Sequence, residues 1–196
     1  VSNLTIFDEK EADEINYSYH EFLKTCNKRS LLVEHKSKTH LFFEWANKLI
    51  YNDKIIDNVS KILGSDIYCW NSLIFYKPPF SKSFVSMHQD QHYWGTKDKE
   101  DNVLTVQVAI SNSNIKNGCL KILSKSHKSK FIHEDYSNRD NMLARGQTVF
   151  LKKNEKSRMK NMILSKGQCC IFHGNIVHGS MANTSNEPRF LFSIRY

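Results

Sequence analysis

After Gly64 the chain changes texture, and that change limits what it can fold into. Short segments rich in Val, Ile, Phe and Tyr follow one another at 66–77, 84–88, 103–110, 119–123, 147–151, 168–173, 175–179 and 189–196. Turn signals separate them: Pro78-Pro79, Asn117-Gly118, Lys166-Gly167, His173-Gly174-Asn175 and the polar run from Asn183 to Pro188. About eight short strands in this order predict a mainly β fold, a jelly-roll or double-stranded β-helix barrel. The polar stretch 124–146 is the one long interruption, and it is expected to lie over the barrel mouth.

Ahead of the strands the periodicity is helical. Residues 8–25 carry Ile15, Tyr19 and Phe22 at helical spacing, with acidic residues early. A second helix is expected over 40–51. A third has Asn52 or Asp53 as its cap, a stripe of Ile55, Ile56, Val59, Ile62 and Leu63, and Gly64 as its stop. These helices carry no catalytic pattern, so their aromatic and aliphatic stripes are read as core. The 196 residues fit a single domain over 1–196, with a helical preface at about 8–63 and a barrel at about 66–196. Because it opens on Val1 rather than Met, the chain reads as part of a longer one.

The chemistry concentrates in Met87-His88-Gln89-Asp90-Gln91-His92-Tyr93-Trp94. On an extended strand residues i and i+2 share a face, so the His88 imidazole and the Asp90 carboxylate aim into one space. Two His and one carboxylate on one face of an octahedral ion, with the remaining positions open, is the donor set of non-haem Fe(II) oxygenases. The missing imidazole has two candidates, His173 and His178. They stand five apart, so in a continuous strand they face opposite sides and only one reaches the ion. Further on, Arg189 opens an otherwise apolar strand, where a guanidinium needs an anionic partner such as a carboxylate.

Together these segments resemble the phytanoyl-CoA hydroxylase family of Fe(II)/2-oxoglutarate oxygenases. The matching blocks are His-Gln-Asp-x-His-Tyr at 88–93, Asn-Gly-Cys-Leu through Ser-His-Lys at 117–128, and His-Gly-Ser-x-x-Asn at 178–183, with Arg189 eleven residues after His178. The resemblance implies that His88, Asp90 and His178 bind iron. It also implies that Arg189 pairs with the far carboxylate of 2-oxoglutarate, assisted by Ser180. The related ectoine hydroxylases add Asn71 as a cosubstrate contact, six residues before Lys77-Pro78, and Trp94 as a pocket residue. Gln91 and Gln107 complete the expected substrate pocket. Gln107 stands where phytanoyl-CoA hydroxylase itself has Trp, and Ser124-Lys125-Ser126-His127 replaces the commoner Pro-Gly-Ser-His. The implied cofactors are Fe(II), 2-oxoglutarate and O2. The implied reaction is hydroxylation of an unactivated C–H in a small molecule, with succinate and CO2 formed, and the positive charge favours an anionic or carrier-linked substrate (acid, phosphonate or thioester). Halogenating relatives carry Ala or Gly where Asp90 stands, so hydroxylation is expected rather than halogenation.

Other residues read as structural. His173 is assigned to the barrel wall, His92 to structure or the substrate side, His127 to a turn, and Cys169-Cys170 to a strand with one thiol on each face. The five cysteines form no CxxC pair, which favours reduced thiols and a cytoplasmic setting. No apolar run approaches the length of a membrane span. The net charge of +8 is spread along the chain rather than blocked, as on a solvated surface. Two other readings stay open. The spacing Arg189-x5-Arg195 is shared with nucleic-acid demethylases, which suits a nucleic-acid or protein oxygenase, and the fold also admits a non-catalytic metal-binding barrel. Nothing in the sequence speaks to oligomeric state.

Overall fold

A cap starts the first helix. In the computed structural model, which describes residues 3–27, 35–94 and 103–196, Asp8 is extended and its carboxylate accepts the Glu11 amide. Helix α1 (Glu9–Thr25) follows and turns Ala12, Ile15 and Tyr19 inward. The expected helix over 40–51 is split. A 3-10 turn at Thr39–Leu41 comes first, then Phe43 is extended with its ring buried, and α2 (Glu44–Ile50) begins only after it. Asn52, not Asp53, caps α3 (Asp53–Leu63) through its side-chain oxygen, and Gly64 ends it at φ 90°.

The described residues form eleven strands, the first ahead of α1: β1 (Leu4–Thr5), β2 (Asn71–Lys77), β3 (Val85–His88), β4 (Leu104–Ala109), β5 (Leu120–Leu123), β6 (Glu134–Asp135), β7 (Gln147–Thr148), β8 (Met159–Met162), β9 (Gln168–His173), β10 (His178–Ser180) and β11 (Arg189–Arg195). A short helix α4 (Lys153–Lys156) precedes β8. The major sheet runs β1-β9-β4-β11-β2 and the minor sheet β3-β10-β5-β8, every pairing antiparallel. Strands β6 and β7 pair separately. This is a jelly roll, as expected, but the strand set differs in several places: β1 and β6 are additional, and the expected strands 66–77 and 147–151 are confined to Asn71–Lys77 and Gln147–Thr148. Strand β8 was not foreseen, because Met159-Lys160-Asn161-Met162 has neither β-branched nor aromatic residues and needs only edge pairing with β5. The expected strand at 175–179 starts later, since the turn closed by Ile176 N–H on the His173 carbonyl occupies its first half.

Alternation along the major sheet divides the chemistry. Leu104, Val106 and Val108 of β4, and Phe190, Phe192 and Ile194 of β11, pack against Ile15, Tyr19, Leu49, Ile55 and Val59 of the helices. Burying each of these side chains contributes roughly 1.5–3 kcal/mol, which fixes the register. The alternate residues, Thr105 and Gln107 on β4 and Arg189, Ser193 and Arg195 on β11, line a cavity between the two sheets. A second apolar cluster, with Ile122, Met162, Phe172 and Leu191, fills the space between the sheets beside it. Cys169 joins the helix-side core and Cys170 the inter-sheet core, one on each face as read from the sequence.

Candidate metal centre

Sheet pairing brings the two histidines together. His178 of β10 lies directly opposite His88 of β3, and their ring centroids are 4.2 Å apart. Each ring is oriented in the same way. His88 Nδ1 lies 2.8 Å from the Ser86 carbonyl and His178 Nδ1 lies 2.9 Å from the Ile176 carbonyl. A carbonyl oxygen only accepts, so both Nδ1 atoms carry the proton and both Nε2 lone pairs face inward. Asp90 Oδ1 is 3.1 Å from His88 Nε2 and 3.8 Å from His178 Nε2. The strand does not continue to Asp90. His88 is its last residue, Gln89 stays extended, and Asp90 opens a 3-10 turn, Asp90–Tyr93. The i, i+2 relation survives because only the intervening residue must be extended.

All three side chains are buried, and their donor atoms lie within 4.8 Å of one another. Burial pushes the His178 imidazole down to about 4, helped by the neighbouring His88, so it stays a neutral donor at ordinary pH. Burial works to raise the Asp90 carboxyl, but Arg195, His178 and His88 outweigh it and hold the group well below the usual range. Arg195 provides the formal charge: Nε and Nη2 donate to Oδ2 and Oδ1, each at 3.3 Å. Thr105 Oγ1 donates to Oδ2 at 3.0 Å. Such hydrogen-bonded support fixes how a ligating carboxylate is presented.

The far end of the cavity is cationic. Arg189 is 1 % exposed; its Nη1 donates to the Gly118 carbonyl and its Nε has no partner among the described residues. Gly118 sits at φ +74°, and a Cβ there would lie 2.3 Å from the Met181 carbonyl oxygen, so the Asn117-Gly118 turn requires glycine. Lys77, fully buried, donates from Nζ to Ser180 Oγ and to the Met181 carbonyl. Burial, then the adjacent Arg189, pushes Lys77 down to about 6. Neither cation is in an ion pair among the described residues. Gln107 and Ser193, paired across β4 and β11, add a side-chain amide nitrogen and a hydroxyl that lack partners in the same cavity.

The remaining expected residues sit outside this inner cavity. Trp94 packs edge-on against Trp70 at 4.6 Å, with the Arg195 guanidinium 5.4 Å above its ring. Gln91 is buried against Gly174, to whose carbonyl it donates its backbone N–H. Asn71 is on β2 opposite Arg195, and its side-chain oxygen accepts the Lys38 N–H. His173 ends β9 and accepts the Asn175 N–H, away from the ligand cluster. His92 is exposed and stacks flat on His133 at 3.8 Å, and His127 lies in a 3-10 turn. Stretch 124–146 packs on the ligand-bearing turn: the Gln89 side chain binds Ser129, Phe131 and Asn175, and its N–H donates to His133. Sequence reasoning missed Thr105, the position of Lys77 Nζ, and the grip of Arg195 on Asp90. Only Arg195 carried a signal, since a spacing of six puts it on the same strand face as Arg189.

The profile of the phytanoyl-CoA dioxygenase (PhyH) family matches residues 7–191. The chain belongs to the phytanoyl-CoA dioxygenase family. Among relatives of this family member is a probable alpha-ketoglutarate-dependent hypophosphite dioxygenase of Stutzerimonas stutzeri. It is 26 % identical over 178 residues, covering 90 % of this chain and 61 % of the relative. An ectoine dioxygenase of Streptomyces coelicolor is 33 % identical over 107 residues, covering 50 % of this chain and 36 % of the relative. This PhyH chain thus spans about three fifths or less of the curated relatives it matches. In structure it is similar to the non-heme monooxygenase ThoJ in its apo form. The TM-score is 0.86 at 25 % identity, covering 100 % of this chain and 72 % of that one.

Proposed function

We propose that this PhyH chain is an Fe(II)- and 2-oxoglutarate-dependent dioxygenase that hydroxylates an unactivated C–H of a small molecule. The observation that carries the reading is one cavity with a His-Asp-His cluster at one end and, at the other, the buried Arg189 guanidinium, which has no carboxylate partner among the described residues, with the Lys77 amine behind it on Ser180. The donor set fits the ion, since two neutral imidazoles and one carboxylate leave open positions for a chelating cosubstrate and O2. The cavity fits a dicarboxylate, since Arg189 and Lys77 are the groups a distal carboxylate would neutralise. The relatives' names add 2-oxoglutarate dependence and dioxygenase chemistry.

In this reading His88, Asp90 and His178 hold the iron, each imidazole fixed by its Nδ1–H on a backbone carbonyl. Arg189, with Ser180 and Lys77 beside it, anchors the far carboxylate of 2-oxoglutarate. When bound, iron, 2-oxoglutarate and O2 supply oxidative decarboxylation to succinate and CO2, and with it the oxidising power for the C–H. The chain's own part is to orient these groups, keep water from the cavity, and leave the outer side of the cluster to the substrate. Asp90 keeps its carboxylate, which supports hydroxylation over halogenation. A reducing, cytoplasmic setting is supported by the thiols of Cys119, Cys169 and Cys170, buried without disulfides.

The test is an anaerobic titration with Fe(II) and 2-oxoglutarate, following the weak visible charge-transfer band of an iron–2-oxoacid chelate. The band is expected in the wild type and lost in Asp90→Ala and His178→Ala. Arg189→Met should weaken 2-oxoglutarate by about 30-fold or more, as expected for loss of a buried charged partner. A wild type that binds neither component would leave a barrel without this activity.

A further inference from the structure

The outer side of the ligand cluster carries a second set of unused donors. Tyr93 closes the 3-10 turn that Asp90 opens, and its ring lies 6.0 Å from that of His88. Its hydroxyl is buried and has no hydrogen-bond partner among the described residues, so a phenol donor stands idle beside the cluster. Above the same ring, 5.6 Å from its centroid, is the guanidinium of Arg145, delivered by the 124–146 stretch. Arg145 is exposed and makes no ion pair among the described residues.

The neighbouring groups are already committed. His133 packs edge-on against Tyr93 at 5.8 Å. Its Nε2 accepts the Gln89 N–H and its Nδ1 faces the Phe131 carbonyl, so both ring nitrogens are used and the ring is neutral. Burial pushes its pKa down to about 4, which agrees. Asp90 is the nearby carboxylate, and Arg195 and Thr105 already hold it. What remains is one neutral donor and one fork-shaped cation, the pair that recognises an oxyanion.

We propose that Tyr93 and Arg145 bind an anionic oxygen group of the substrate, a carboxylate or a phosphoryl group, on the outer side of the iron ligands. This rests on the proposed function for the identity of the site and deepens it by naming the substrate class. A substrate held this way has its charged end fixed against the turn, and a C–H further along it faces the metal.

The test uses protein loaded anaerobically with Fe(II) and saturating 2-oxoglutarate, titrated with butanoate, ethylphosphonate and the neutral butanamide. The readouts are the charge-transfer band and calorimetric binding. At least one anion should perturb the band and bind at least tenfold more tightly than the amide. A preference for butanoate or for ethylphosphonate then distinguishes carboxylate from phosphoryl substrates. Tyr93→Phe and Arg145→Gln should each weaken that anion at least tenfold, as expected when a charge-assisted hydrogen bond is lost, while 2-oxoglutarate affinity stays at the wild-type level. Arg145→Lys should recover part of the loss. Equal binding of amide and anions, no binding of any probe, or anion affinities unchanged in both variants overturns the inference. A wild type in which the band never forms overturns the proposed function, whereas a band that forms but shows none of these anion contrasts overturns this inference alone.

Discussion

Replacing Arg195 with Met removes the cation that neutralises Asp90 and leaves a chain of similar length in its place. Asp90 is 3 % exposed and Arg195 7 %. The carboxylate loses two guanidinium contacts of 3.3 Å and keeps the Thr105 hydroxyl. Breaking a buried pair by removing one partner costs about 3–5 kcal/mol, because the other charge stays uncompensated. The lost stacking of Arg195 over Trp94 adds about 0.5–1 kcal/mol. At roughly 2–4 °C per kcal/mol for a chain of this size, the metal-free variant should melt on the order of 7–24 °C lower.

The metal separates electrostatics from packing. A divalent ion at His88, Asp90 and His178 restores a positive charge to the carboxylate, and it stabilises only the folded state. Adding Mn(II) or Co(II) should therefore raise the melting temperature of Arg195→Met more than that of the wild type and return much of the loss. Arg195→Lys, which keeps the charge but not the two-pronged grip, should fall between them. The assay is thermal unfolding by circular dichroism, with and without excess metal. A metal-free drop under about 2 °C, or a deficit that the ion leaves unchanged, would refute the claim that Arg195 is the counter-charge of Asp90.

Two further outcomes follow from neighbouring groups. Lys77, at about 6 in the folded protein against roughly 10.4 in the unfolded chain, is largely neutral near pH 8 while the unfolded chain carries the proton. Its contribution to stability therefore rises with pH across that window, and a dicarboxylate that charges it should bind with uptake of about one proton. Calorimetry at pH 8 in buffers of different ionisation heat measures the uptake, and the same uptake in Lys77→Met would contradict the assignment. Gln89→Leu strands the Ser129 and Asn175 carbonyls and the Phe131 N–H, at about 1–3 kcal/mol for each buried group left unpaired. Amide exchange should accelerate across 129–133, and unchanged protection there would show that Gln89 does not anchor this stretch.

Much of the site could be read from the sequence because its signals are local or regularly spaced. His88 and Asp90 need only one extended residue between them, and Gln89 is extended although the strand has ended. Asn117-Gly118 reads as a turn, and the structure adds that its carbonyl receives Arg189. The third imidazole required the pairing of β3 with β10, which no spacing encodes; the family pattern pointed to His178. Thr105 could not be foreseen, since a threonine in an apolar strand is ordinary and its link to Asp90 spans two sheets. The grip of Gln89 on 124–146 was hidden for the same reason, because its partners there lie 40 to 44 residues away.

Register ties the helical preface to the chemistry. On β11, Phe190, Phe192 and Ile194 are buried against the helices, while Arg189, Ser193 and Arg195 face the cavity. A slip of one residue would exchange the two sets, sending two guanidinium groups into an apolar core and three large hydrocarbon side chains into the cavity. The described helices contribute none of the candidate site's residues, yet by burying alternate positions of β4 and β11 they determine which side chains face the His-Asp-His cluster. A cavity-forming change on the helix side, such as Ile55→Ala, therefore perturbs the site only as far as it loosens that register. The chemistry of the cavity is specified in part by hydrophobic residues that never touch it.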